Sequence, residues 1–113
     1  MTVNAHTLIR PVDAAQFDEA IGSSDRAVLV DVWADWCPPC KTLEPELEAV
    51  AEELVEVLEV RSLDQDAYPD VGRRYGVMSL PTMLVFRDGE LVERLVGARG
   101  RARLREELAQ LLG

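Results

Sequence analysis

Residues 27–41 decide the fold of this chain: Ala27-Val28-Leu29-Val30-Asp31-Val32-Trp33-Ala34-Asp35-Trp36-Cys37-Pro38-Pro39-Cys40-Lys41. The first seven are mostly apolar and β-branched, which is typical of a parallel strand buried on both faces. From Pro39 onward, leucine and valine recur at helical spacing, which predicts a helix over about residues 39–55. The only two cysteines of the chain therefore lie at a strand-to-helix junction. Two thiols separated by two residues can form a disulfide and reopen it, so the junction predicts a thiol–disulfide oxidoreductase site.

Composition narrows the class of protein. We expect residues 1–113 to form a single domain, with a flexible N-terminus over residues 1–5. The net charge of −9 argues against nucleic-acid binding, because such proteins usually show a basic surface. No apolar run approaches the ~20 residues that a membrane helix needs, and the N-terminus lacks the pattern of a secretory signal. We therefore expect a cytoplasmic protein with neither nucleic-acid nor membrane partners. In the reducing cytoplasm, a lone cysteine pair is more often catalytic or metal-binding than structural.

The charges are unevenly distributed along the chain. Residues 44–59 form an acidic block, and a basic stretch near the end contains Arg94, Arg99, Arg101, Arg103 and Arg105. We interpret both as solvated helix faces, the alternative being a polar rim that selects partners.

Further elements are predicted on both sides of the junction. They are a strand over 6–10, a helix over 14–21 capped by Asp13, a strand over 57–63, a helix from Pro69 to about Tyr75, strands Thr82–Arg87 and Glu90–Val96 joined at Asp88-Gly89, and a helix over 101–112. This order predicts a three-layer α/β/α fold with a central mixed sheet of about five strands and about four helices. The final hairpin should add an antiparallel edge to an otherwise parallel sheet.

The residues alone leave two other interpretations of the cysteine pair. An inert disulfide closing so small a ring would restrict the unfolded chain little. A zinc site would need more ligands, and the single histidine, His6, is remote in the sequence, so we expect no metal. Asp31 interrupts a strand that should be buried, and burial without a partner raises a carboxyl pKa. From the residues alone, Asp31 is either a polar strand end or a functional group.

Further motifs follow Asp31 in a fixed order. Together with the run Val30 to Lys41 itself, they are Pro45, Tyr75-Gly76-Val77, Leu80-Pro81-Thr82, Phe86-Arg87-Asp88-Gly89 and Val96-Gly97-Ala98. In this order and spacing they resemble the thioredoxin family over essentially the whole chain. Two positions depart from the family pattern. Pro38 stands where the commonest members have glycine, and Ser62 stands where many bacterial members carry a lysine beside the buried aspartate.

The resemblance implies the thioredoxin fold and protein-disulfide reductase activity in cell redox homeostasis. It implies catalytic roles for Cys37 as the nucleophile, Cys40 as the resolving thiol and Asp31 as the proton acceptor and donor for Cys40. It implies a cis peptide bond before Pro81 and a substrate groove formed by Trp36, Pro38, Pro39, Ser79, Leu80, Pro81, Val96 and Gly97. We expect Trp33 and Pro45 to shape the site.

The two prolines between the cysteines carry no N–H group. A thiolate on Cys37 should therefore keep chiefly the N–H of Cys40 as a donor. Because Pro39 disfavours helical geometry at the residue before it, we expect the regular helix to begin at about Pro39. Cys40, one turn into that helix, should be less exposed than Cys37.

The resemblance also implies the partners. The redox-active group is a disulfide, and no cofactor is bound. This disulfide is reduced again by a flavin-dependent thioredoxin reductase that uses NADPH or, less often, ferredoxin. The other partners are client proteins with disulfides, and we expect a monomer. Two alternatives remain open: an oxidase or isomerase of another compartment, against which Leu80 argues because several such relatives carry Thr, Val or Tyr there, and a binding module that uses the groove without turnover.

Overall fold

The structure, a computed structural model, describes residues 8–113, so the predicted flexible segment 1–5 and the first two residues of the predicted strand 6–10 lie outside the described residues. Within that range the elements follow the predicted order. The strands are β1 (Ile9–Pro11), β2 (Ala27–Trp33), β3 (Leu58–Asp64), β4 (Thr82–Arg87) and β5 (Glu90–Val96). The helices are α1 (Phe17–Gly22), α2 (Pro38–Glu53), α3 (Pro69–Arg74) and α4 (Arg101–Leu112).

The five strands form one mixed sheet in the order β1-β3-β2-β4-β5. Strands β1, β3 and β2 are parallel, whereas β4 runs antiparallel to both β2 and β5. The β4–β5 connection turns at Asp88 and Gly89, both with positive φ (54° and 82°), as the tight turns preferred in two-residue hairpins require. The predicted mixed sheet with an antiparallel edge is confirmed.

Apolar side chains cover both faces of the sheet, which confirms the predicted three layers. Helices α2 and α4 pack on one face through buried residues that include Leu43, Leu47, Leu104 and Leu108. Helices α1 and α3 pack on the other face, where Phe17 and Val71 join Phe86. Successive residues of β2 alternate between the two clusters, because side chains of a strand point to opposite faces in turn.

Two helix starts differ from the prediction. Helix α1 begins at Phe17 instead of residue 14, because the side chain of Asp13 accepts a hydrogen bond from the backbone N–H of Gln16 (2.7 Å) and stabilises a turn before the helix. Helix α2 begins at Pro38 instead of Pro39, with Cys37 as its extended N-cap. The fixed φ of proline suits the first helical position, where its missing N–H would have no partner in the helix. Among residues 8–113, no helix is long and apolar enough to cross a membrane.

Candidate active site

The two cysteines form a disulfide at the junction of β2 and α2. Their Cα atoms are 5.3 Å apart, within the ~4.4–6.8 Å that a disulfide normally spans. The backbone N–H of Cys40 donates a hydrogen bond to Sγ of Cys37 (3.3 Å). Because Pro38 and Pro39 have no N–H, this is the donor that the sequence predicts for a charged Cys37.

Both cysteines are buried, with 3% of Cys37 and 4% of Cys40 exposed. The expectation that Cys40 would be the less exposed of the two is wrong for this disulfide form. The physical reason is local packing, because the two cysteines and Ala34 form an apolar cluster against which Trp33 and Leu80 pack. Trp33 therefore lies beside the disulfide, in a position from which it can shape the site.

Asp31 is the buried acidic group beneath this junction, with 5% of the residue exposed. It lies opposite Ser62 of β3 and Met83 of β4, and its Oδ1 atom has no hydrogen-bond partner among residues 8–113. Burial, and secondly the nearby carboxylate of Glu44, raise the pKa of Asp31 to about 7. The predicted rise in pKa is confirmed, and a group with this pKa can take up or release a proton near neutral pH.

Asp31 and Cys40 line the same cavity, which we call the Asp31 cleft. Its volume is about 370 Å³. The other lining residues are Ile9, Trp33, Asp35, Lys41, Glu44 and Ser62. Asp35, Lys41 and Glu44 are exposed, so the cleft reaches the surface. Although its lining includes carboxyl groups and a cysteine, no group of three or more such side chains in the described part of the chain is arranged to hold a metal ion.

A second loop lies beside the disulfide. The Leu80–Pro81 peptide bond is cis, the form that the resemblance implies. Leu80 packs on the cysteine cluster, and the hydroxyl of Thr82 donates a hydrogen bond to the carbonyl of Ser79 (2.7 Å). The N–H of Gly97 donates to the carbonyl of Pro81 (2.9 Å), which joins the end of β5 to this loop.

Exposed apolar side chains surround this part of the molecule. Trp36 is exposed, and its indole N–H donates a hydrogen bond to Asp66 (2.9 Å). Val96 is exposed at the end of β5 and pairs with Thr82, next to Pro81. Met78, two residues before Leu80, is 94% exposed.

The structure separates Pro45 from the rest of the predicted set. Pro45 lies inside α2 and is exposed, further along the helix than the cysteines. Pro38 and Pro39 are exposed beside the disulfide, and Ser79 is exposed in the second loop. The predicted groove residues therefore lie around the start of α2 (residues 36–39), on the second loop (residues 79–81) and at the end of β5.

Arg99 is a residue that sequence reasoning missed. Only 6% of its side chain is exposed, and Nη1 donates to Glu107 (2.6 Å). Its guanidinium also donates to the backbone carbonyls of Gly97 (3.2 Å) and Val96. Gly97 has a φ of +94°, so the chain turns there in a conformation that favours glycine. The interpretation of the basic stretch as solvated helix faces is wrong for Arg99, and its place directly after the Val96-Gly97-Ala98 motif was the available signal.

Known proteins are similar to this chain over almost its whole length. The family model described as Thioredoxin matches residues 8–110. A thioredoxin of Mycobacterium bovis is 42% identical over 112 residues, which cover 99% of this chain and 97% of the relative. A thioredoxin of Mycolicibacterium smegmatis is 47% identical over 96 residues, 83% of this chain and 85% of the relative. A bifunctional thioredoxin reductase/thioredoxin of Mycobacterium leprae is 43% identical over 109 residues, 96% of this chain and 24% of that protein.

Proposed function

The chain belongs to the thioredoxin family of thiol–disulfide oxidoreductases, and from this we propose that Cys37 and Cys40 reduce client disulfides through a mixed-disulfide intermediate. The observation that carries this proposal is the Cys37–Cys40 disulfide at the β2–α2 junction, with Asp31 in the adjoining cleft. In the reduced protein this pair holds the two electrons that the client receives.

Cys37 is the nucleophile in this proposal. Its thiolate would be stabilised by the N–H of Cys40 and by the positive end of the α2 dipole. The thiolate attacks one sulfur of the client disulfide. A bond forms between that sulfur and Sγ of Cys37, the client S–S bond breaks, and the second client sulfur leaves as a thiolate.

Cys40 completes the reaction with the help of Asp31. The thiol of Cys40 passes its proton to the carboxylate of Asp31, directly or through water in the Asp31 cleft. The resulting thiolate attacks Sγ of Cys37, the Cys37–Cys40 disulfide forms, and the remaining client sulfur leaves. The client thiolates then take up protons, one of which Asp31 can return. A pKa of about 7 supports this role, because Asp31 is then present in both protonation states at neutral pH.

The start of α2 and the loop of residues 79–81 would bind the client as an extended segment. The backbone beside the cis proline pairs with the client main chain, as an added strand pairs with a sheet edge. Affinity that comes from main-chain bonds makes little demand on client sequence, which suits a general reductant. The contact surface consists of Trp36, Pro38, Pro39, Ser79, Leu80, Pro81, Val96 and Gly97. The exposure of Trp36 and Val96 supports this assignment.

We propose that a flavin-dependent thioredoxin reductase supplied with NADPH reduces the Cys37–Cys40 disulfide again after each reaction. The name of the Mycobacterium leprae relative supports the link, since it combines a reductase with a thioredoxin. We also propose that the protein is cytoplasmic and monomeric and that residues 8–113 act as one domain. A lone redox pair suits a reducing compartment, and a net charge of −9 opposes self-association.

The test is reduction of insulin by the full chain with NADPH and a bacterial thioredoxin reductase. We expect rapid turnover by the native protein, loss of turnover in Cys37→Ser, and accumulation of mixed disulfides in Cys40→Ser. Full biological activity of Cys37→Ser would instead indicate a binding module. A reduction potential near that of strong oxidants would indicate an oxidase.

A further inference from the structure

Glu44 is a second carboxyl group in the Asp31 cleft. It lies four residues after Cys40 on α2, and residues four apart share a face of a helix. Both residues line the cleft together with Asp31, which belongs to the strand beneath. Asp31 is buried, whereas Glu44 is exposed. The cleft thus has the carboxyl group of Asp31 at its base and those of Glu44 and Asp35 at its surface.

The effect of the Glu44 charge on Asp31 depends on the other polar and charged groups around Asp31. From α2 they are Cys40, Lys41 and Glu44, and from the loop after β2 there is Asp35. The strand neighbours of Asp31, Ser62 and Met83, are uncharged. Burial is the largest cause of the raised pKa of Asp31, and the charge of Glu44 is the next largest. A like charge acts more strongly across a partly enclosed cleft than across bulk water, because the effective dielectric constant is lower.

We propose that Glu44 is a positioning residue for proton transfer, whose charge moves to higher pH the range in which Asp31 exchanges its proton with Cys40. The proposal rests on the proposed role of Asp31 in the reaction. Glu44 acts through Asp31 and forms no bond with the reacting sulfurs. With the Glu44 charge in place, Asp31 keeps its proton to a higher pH and is the stronger base once ionised. Without that charge, more of Asp31 is ionised just below neutral pH, and each carboxylate is a weaker base.

The direct test is the titration of the Asp31 carboxyl carbon by NMR in the oxidised full chain. In Glu44→Gln we expect its midpoint to fall by about half a pH unit, and in Glu44→Lys by about one unit. Both shifts should shrink in about 1 M KCl, where salt screens charges that solvent can reach. Glu52→Gln is the matched control, because Glu52 is an exposed glutamate of the same helix that does not line the cleft. The titration midpoint of Asp31 in Glu52→Gln should equal the midpoint of Asp31 in the native protein.

The second measurement is the rate of insulin reduction against pH for the same variants. The acidic limb of the profile should move to lower pH in Glu44→Gln by the amount seen in the titration. An unchanged Asp31 midpoint, or an equal shift in Glu52→Gln, overturns the proposal. A shifted midpoint with an unshifted rate profile also overturns it, while the reductase function stands. Failure of the native protein to reduce insulin would instead overturn the proposed function.

Discussion

Asp31 lies directly opposite Ser62 in the parallel pairing of β2 with β3. Ser62 is partly exposed, has a short uncharged side chain, and lines the Asp31 cleft as well as a neighbouring cavity of about 420 Å³. Many bacterial members of the family carry a lysine at this place by the spacing of the motifs. The buried carboxyl here therefore has no cation at its strand partner, and ionisation of Asp31 opposes folding.

Replacing Asp31 with Asn should stabilise the oxidised protein in a pH-dependent way. The pKa of Asp31 is about 7 in the folded chain and about 4 in an unfolded one. Between these values the folded state holds more protons, so the stability of the native protein falls as pH rises from about 4 to about 7 and then levels off. The advantage of Asp31→Asn should grow over that window to at most about 4 kcal/mol.

Urea unfolding of the oxidised protein at several pH values measures this advantage. Asp25→Asn is the control, because it replaces an aspartate that is exposed and lies outside the buried strand. A constant difference between Asp31→Asn and the native protein would argue against a raised pKa. Insulin reduction should be slower in Asp31→Asn, and an undiminished rate would count against the proposed proton transfer.

Ser62→Lys should lower the pKa of Asp31, because an ammonium group near a carboxyl favours its charged form. The two cavities that Ser62 lines leave room for the longer side chain. Ser62→Met is the matched control, since it adds similar bulk without charge. NMR titration of Asp31 compares the two variants. Equal midpoints in Ser62→Lys and Ser62→Met would show that volume, and not charge, decides the titration at this site.

The sequence predicted the elements whose patterns are local. The continuous apolar run of β2 and the Asp88-Gly89 turn each follow from residues that are close in the chain, and the structure confirms both. The buried carboxyl of Asp31 was predictable for the same reason, as a charge inside an apolar strand. The low exposure of Cys37 depends instead on Leu80, which is distant in sequence, and the burial of Arg99 depends on Glu107 and on two backbone carbonyls. Contacts of this kind leave no periodic signal.

Pro38→Gly should lower the pKa of the Cys37 thiol in the reduced protein. The substitution restores an N–H in the first turn of α2, where Sγ of Cys37 now accepts from Cys40, and each further donor stabilises the thiolate. Pro38→Ala restores the same N–H with less added flexibility, so both variants should shift in the same direction. The measurement is the rate of alkylation of Cys37 against pH. A profile that moves to higher pH, or does not move, would refute the argument from missing donors.

Arg99→Met should weaken both the fold and client binding. The substitution removes the donors to Gly97 and Val96 and leaves the half-buried carboxylate of Glu107 without its closest partner, so we expect the free energy of unfolding to fall by about 2–3 kcal/mol. The end of β5 should then be held less firmly, and KM for insulin should rise more than kcat falls.

Arg103→Met is the control for Arg99→Met. Arg103 also pairs with Glu107, but 67% of its side chain is exposed and the distance is 3.4 Å. An exposed pair of this kind contributes less than about 1 kcal/mol. Urea unfolding and steady-state kinetics of both variants, with Glu107→Gln added to complete a double-mutant cycle, separate the buried pair from the exposed one. Similar losses of unfolding free energy in Arg99→Met and Arg103→Met would mean that Arg99 acts only as one more surface charge. An unchanged KM in Arg99→Met would mean that the carbonyls of Val96 and Gly97 hold their positions without Arg99.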